Sequence, residues 1–231
     1  MRSIPTYSPQ ETRLSQEPFR PKPTASTLDA LDDHTLLGLL LDRVLEAPDA
    51  ERIASDLLDR FGSLGDIAAA DVPELGKVTG VRPAVIMELK LLRQLSIRLA
   101  RSAACCRPVL SSWEALRTYA VTALAHLPRE QFRALYLDRR NILLRDETVA
   151  DGSVDHAPVY PREVIRRALE VSASAMILIH NHPSGDPTPS QADITVTRQI
   201  VDAAKVFGLP VHDHLIVGRE GTASLRALGL M

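Results

Sequence analysis

The chain has 231 residues, room for one large domain or two small ones, and at 45 % apolar residues it has ample material for a buried core. Its formal net charge is −2, and acids balance bases in each half, which argues against a polycation that coats nucleic acid nonspecifically. No apolar run approaches membrane-spanning length and the N-terminus lacks an apolar signal region, so a cytoplasmic protein with no membrane partner is expected.

Residues 1–27 are rich in proline and polar side chains and read as a disordered or extended tail. From residue 28 to 103 the periodicity is helical, which predicts a small all-α domain. Leu36–Leu41 with Val44 and Leu45 form one apolar helix opened by Asp32 and Asp33. Ile53, Leu57, Leu58 and Phe61 space a second, stopped by Gly62. Leu64, Ile67 and Ala68 suggest a third, and Val72-Pro73 starts a fourth. Thr79–Pro83 is a tight turn, with Pro83 suited to the first position of a helix reaching Arg101. This last pair of helices has a helix-hairpin-helix look, in which a Gly-x-Gly turn lets backbone N–H groups meet a phosphate. Here Gly80 is present, but Arg82 stands where the second glycine belongs. Arg82, Lys90 and Arg93, with Arg98 and Arg101 beyond, are therefore candidate DNA-binding residues. The alternative is a solvated helix face whose cations complement the dipole, the commoner fate of a charge run.

Residues 104–112 break the pattern and read as a linker. The adjacent Cys105 and Cys106 are expected as reduced thiols, because a disulfide between neighbours is strained. A second domain spans 113–231. Trp113 to about Leu127 is an amphipathic helix, and Phe132–Leu137 a strand. Asp138–Asn141 form a hairpin turn, with a second strand from Ile142 toward Val149. Pro161 opens a helix, an apolar strand runs into His180, a helix covers Ser190 to Phe207, and Leu209–Val217 is a further strand. The order describes an α+β or α/β sandwich with its site at a strand end.

That site is the most informative feature. Met176–Ile179 is a buried strand, and His180 and His182, two residues apart at its end, point to the same face. A Gly/Pro-rich loop then returns Asp193 at the start of a helix. Two imidazoles and a carboxylate are the three-ligand set of a catalytic zinc, which keeps one position open. Ser190, three residues before Asp193, also reads as the N-cap of a capping box. A rival pair, His212 and His214, lies on one face of the last strand with no acid at loop spacing, and reads as supporting or structural. His34, His126 and His156 read as isolated surface residues. His-Glu-x-x-His, Walker and Gly-x-Ser-x-Gly patterns are absent, as is the cysteine motif of zinc deaminases.

The run His180-Asn181-His182-Pro183-Ser184-Gly185-Asp186 through Asp193 resembles the JAMM metalloprotease signature of the MPN fold and, within it, the RadC family. Tyr160–Val164, Val211–Gly218 and Ser224-Leu225 are similar to that family's flanking segments. The resemblance implies an MPN (JAMM, cytidine-deaminase-like) sandwich, a mixed sheet with flanking helices, behind the small all-α domain. It implies one Zn2+ held by His180, His182 and Asp193. JAMM enzymes carry a general-base Glu at or just before the first core strand. The matching residue here is Glu130, with Glu147 and Glu163 as competing carboxylates. The same resemblance gives Ser190 a part in holding an oxyanion, in competition with capping. The implied reaction is hydrolysis of a peptide or isopeptide bond by zinc-activated water. The alternative is a DNA-associated repair or recombination accessory protein, whose MPN domain is a scaffold or metal-dependent nuclease. No feature sets an oligomeric state.

Overall fold

The computed structural model describes residues 25–105, 108–152 and 159–231. The expected tail up to residue 24, Cys106 and His156 lie outside them, as does the Cys105 side chain. In the first of two compact units, Met1–Asp32, Ala25–Ala30 form a 3-10 helix; everything below belongs to the second, Asp33–Met231.

Five helices come first: α1 (Asp33–Leu41), α2 (Ala47–Phe61), α3 (Leu64–Ala69), α4 (Val72–Leu75) and α5 (Pro83–Cys105). Their punctuation is local. Pro48 sits in the first turn of α2, Gly62 ends it at φ 89, and the Ser63 side chain accepts from Asp66 N to cap α3. Leu37, Leu41, Ile53, Leu57, Ile67, Leu75, Val85 and Leu89 close a core of their own.

The 23-residue α5 is long enough to serve two cores. Its first turns enter the helical core through Val85 and Leu89, and further along Ile97, Ala100 and Ala104 pack against the sheet-bearing core. This overturns the free cationic face expected for Lys90 and Arg93. Lys90 Nζ donates to Ala68 O at 3.0 Å and to Ala70 O, satisfying carbonyls at the end of α3. Arg93 donates to Ala123 O on the following helix at 2.9 Å. Burial pulls both pKa values down. Arg82 and Arg98 stay exposed.

The remaining elements are a 3-10 helix (Val109–Ser112) within the segment read as a linker, then α6 (Trp113–Leu124), β1 (Gln131–Leu137), β2 (Leu143–Asp151), α7 (Pro161–Glu170), β3 (Ala175–Asn181), α8 (Gln191–Val206), β4 (Val211–Gly218) and β5 (Gly221–Ser224). They build a mixed sheet in the order β2-β1-β3-β4-β5, with β3 and β4 parallel and the other neighbours antiparallel. The short edge strand β5 goes beyond the expected elements. Strand β3 is buried throughout, as its unbroken apolar run requires. Its alternation divides the protein. Ile177 and Ile179 face α6, together with Leu135, Leu137, Leu215 and Val217. Met176 and Leu178 face α7 and α8, together with Phe132, Ala134 and Ile200. The fold is thus α+β, a helical region followed by a sheet flanked by helices. Among the described residues no helix is long and apolar enough to cross a membrane.

Because Lys90 satisfies helix-end carbonyls instead of facing solvent, Lys90→Ala should lower the unfolding free energy by about 1–3 kcal/mol in urea titrations followed by circular dichroism. Arg82→Ala should stay within about 0.5 kcal/mol of the parent.

Candidate metal centre

His180 ends β3 on the face toward α8, and His182 follows on the same face. Asp193 is the third residue of α8, returned to the strand end by the 183–190 loop. The three side chains form a group whose ligand atoms lie within 4.8 Å of one another. The closest approaches are tighter. His180 Nε2 lies 3.0 Å from His182 Nε2 and 3.1 Å from Asp193 Oδ1, and His182 Nε2 lies 3.3 Å from Asp193 Oδ2. A tetrahedral ion with bonds of about 2.0–2.1 Å spaces its donors roughly 3.3 Å apart, so this donor set fits zinc in both spacing and type.

Partners behind the histidines fix which nitrogens carry protons. Thr197 Oγ1 donates to Asp193 O at 2.5 Å, so it must accept from His214 Nδ1, also 2.5 Å away. That leaves His214 Nε2 as the acceptor for His180 Nδ1–H, at 2.8 Å. His214 is fully buried, and burial holds it neutral, with its pKa well below the ordinary imidazole value. His182 Nδ1 donates to Asp186 O at 2.9 Å. With Nδ1 carrying the proton, both histidines turn Nε2 toward each other and toward a carboxylate, a group that could hold a metal ion. Burial acts to raise the Asp193 carboxyl, but its bonds with His180 and His182 hold it far below the usual carboxylate range. The bond with Asp193 raises His182 against the effect of burial.

Ser190 and Asp193 form the capping box. Ser190 N and Oγ donate to Asp193 Oδ2 at 2.7 and 2.6 Å, and Ser190 Oγ accepts from Asp193 N at 3.2 Å. Oδ2 thus takes both capping bonds and also faces His182, while Oδ1 faces His180. The Ser190 hydroxyl bonds both the backbone N–H and the carboxylate of Asp193.

The loop is held from two sides. Gly218 passes so close that a Cβ there would lie 2.0 Å from Gly185 O, so only glycine fits. Arg219 Nη2 donates to Pro183 O and Ser184 O, each at 3.1 Å, while its Nη1 lies 3.6 Å from Asp66 Oδ1 of α3. Asp66 Oδ1 also accepts from His126 Nδ1 at 3.0 Å. His126 is thus no isolated surface residue: it ties the turn after α6 to α3, against Gly65, whose missing side chain makes space for the ring.

Glu130 immediately precedes β1. The pairing Phe132↔His180, continued by two further pairs of residues, sets it opposite His182, and its charge acts on that imidazole. Asn181, between the two histidines and fully buried, turns to the other face and clamps this approach. Its Oδ1 accepts from Gln131 N at 2.9 Å and its Nδ2 donates to Arg129 O at 3.1 Å, on either side of Glu130. The rival carboxylates are engaged elsewhere. Glu147 takes two bonds from Arg167, at 2.7 and 2.5 Å, and Glu163 takes one from Arg166 on the surface of α7. The shared face expected for His212 and His214 is broken by a register shift between Met176 and Leu178. His214 backs His180, while His212 meets Asn141 Oδ1 at 2.7 Å. His34 lies half-buried on α1. Asn181 is the residue missed from sequence, while His214, read there as supporting, stands behind His180. The His-x-His motif drew attention to the ligands and away from the residue between them.

Residues 110–230 match the family described as RadC-like JAB domain. A UPF0758 protein of Rhodobacter capsulatus is 56 % identical over 203 residues, 88 % of this chain and 95 % of that protein. A UPF0758 protein of Ruegeria pomeroyi is 47 % identical over 228 residues, 99 % of this chain and all of that protein. With the domain match over the sheet, the loop and the His-His-Asp group, and with relatives aligned along nearly their whole length, the chain belongs to the RadC family of JAB-domain proteins.

Proposed function

We propose that this chain is a zinc-dependent hydrolase of peptide or isopeptide bonds. The reading is carried by the opposed Nε2 lone pairs of His180 and His182, 3.0 Å apart beside Asp193, with tautomers fixed from behind. The JAB fold is of metallohydrolase type and supports the same reading. His180, His182 and Asp193 would hold the ion. Bound zinc supplies a Lewis acid that brings the pKa of an attacking water toward neutrality. Glu130, set opposite His182, takes that water's proton and returns it to the leaving amine. Asn181 holds the backbone on both sides of Glu130. Ser190 fixes the orientation of Asp193, and His214 keeps His180 in the ligating tautomer. The inward-turned Lys90 and Arg93 take two cations from the DNA-associated alternative.

Elemental analysis of untagged protein should find about one zinc per chain, lost in His180→Ala/His182→Ala, and chelation should lower the melting temperature of the parent alone. No zinc after reconstitution would overturn the assignment. His214→Ala should weaken zinc binding by about 10–100-fold in competition with a chromogenic chelator. In a peptide and isopeptide library, cleavage should be chelator-sensitive and fall by about 100-fold or more in Glu130→Gln with zinc content unchanged.

A further inference from the structure

Helix α5 turns one side inward, through Val85, Leu89, Ile97 and Ala104, and leaves the other side bare. On that outer side Met87 is 67 % exposed, Leu91 49 %, Leu95 51 % and Leu99 73 %, with Leu92 half-exposed at the rim. Steps of four residues keep these side chains in one ridge along the helix. Single apolar side chains on a surface need no account, but an unbroken row of them marks a contact. A membrane surface does not suit it, because helices that lie on lipid carry flanking cations. Interleaved with this row are one acid and one base, Glu88 and Arg98.

The row is the same in both directions. About Arg93, Leu91 is matched by Leu95 and Met87 by Leu99, and the small exposed residues Ala84 and Ser102 close the two ends. A two-fold contact demands this property, since each residue must meet its counterpart on an identical surface. The charges select the direction. A parallel pairing sets Glu88 level with Glu88 and Arg98 level with Arg98, whereas an antiparallel one centred on Arg93 sets Glu88 of one copy level with Arg98 of the other. Glu88 also approaches Arg43 Nε at 3.9 Å, a loose surface pair, and a carboxylate has acceptor sites for a second cation. The exposed apolar surface of the row is roughly 500 Å2, so two copies reach the total of about 1,000 Å2 that a specific contact needs. We infer that the outer face of α5 is the contact of a two-fold homodimer, in which two copies of the helix cross antiparallel near Arg93. The metal ligands, on the α8 side of the sheet, take no part in it.

Light scattering and sedimentation velocity on the full chain at micromolar concentration should give twice the mass of one chain. Leu91→Glu/Leu95→Glu should weaken association by roughly tenfold or more, with an unchanged circular dichroism spectrum, because both side chains are already exposed in the single chain. Val206→Glu, an equal change at an apolar residue of α8 that is also exposed, should leave the dimer intact. Arg98→Glu should raise the dissociation constant by roughly fivefold or more, and Glu88→Arg in the same chain should restore it. A monomer would overturn the assignment, whether residues 1–24 or a different protein then takes the face. A dimer indifferent to Leu91→Glu/Leu95→Glu, or weakened as much by Val206→Glu, would overturn it too, and a charge exchange that restores nothing would overturn the antiparallel pairing.

Discussion

Two ring nitrogens facing each other across 3.0 Å, each with its lone pair forward, are the interaction on which the site depends. Two ring nitrogens at this distance cannot both present an N–H to each other, so bringing them together is costly unless their protons are placed. The structure meets the cost from behind. A chain of hydrogen bonds from Asp193 O through Thr197 and His214 sets the proton of His180, and Asp186 O sets that of His182. The chain starts and finishes in the site: Thr197 and Asp193 lie on successive turns of α8, and the carboxylate of Asp193 faces the same nitrogen whose tautomer its backbone carbonyl helps determine. Fold and metal preference are therefore one problem, solved by the docking of α8 on β3.

What could be read in the sequence followed from local rules. An apolar run must be buried, so β3 was legible. Side chains alternate along a strand, so His180 and His182 had to share a face. Ser190 and Asp193 at capping-box spacing had to start a helix. What stayed hidden depended on strand neighbours. The extra residue in β4 parts His212 from the face of His214, and no pattern within Val211–Gly218 announces it. Asn181 looked like a spacer because its partners, Arg129 and Gln131, are about fifty positions away. Lys90 and Arg93 matched a solvent-facing or phosphate-facing stripe, since their periodicity says nothing about the carbonyls that meet them. Small β5 carries too few residues for an alternation to register.

Helix α5 explains why the helical region and the sheet are not beads on a string. It contributes to both hydrophobic cores, and its polar side chains close the seam between them. A continuous helix transmits position along its axis much better than a flexible linker, so the placement of the first core constrains the second.

Arg219 has a further consequence. One guanidinium grips the carbonyls of Pro183 and Ser184, immediately after His182, and leans on a carboxylate supplied by α3. The loop that shapes the reaction centre is thus braced by a residue from outside the sheet-bearing part. Such a chain lacks the modularity that its division into a helical and a sheet region suggests. Exchanging the helical region for another would keep this brace on the loop only if the newcomer supplied an acid at the place of Asp66.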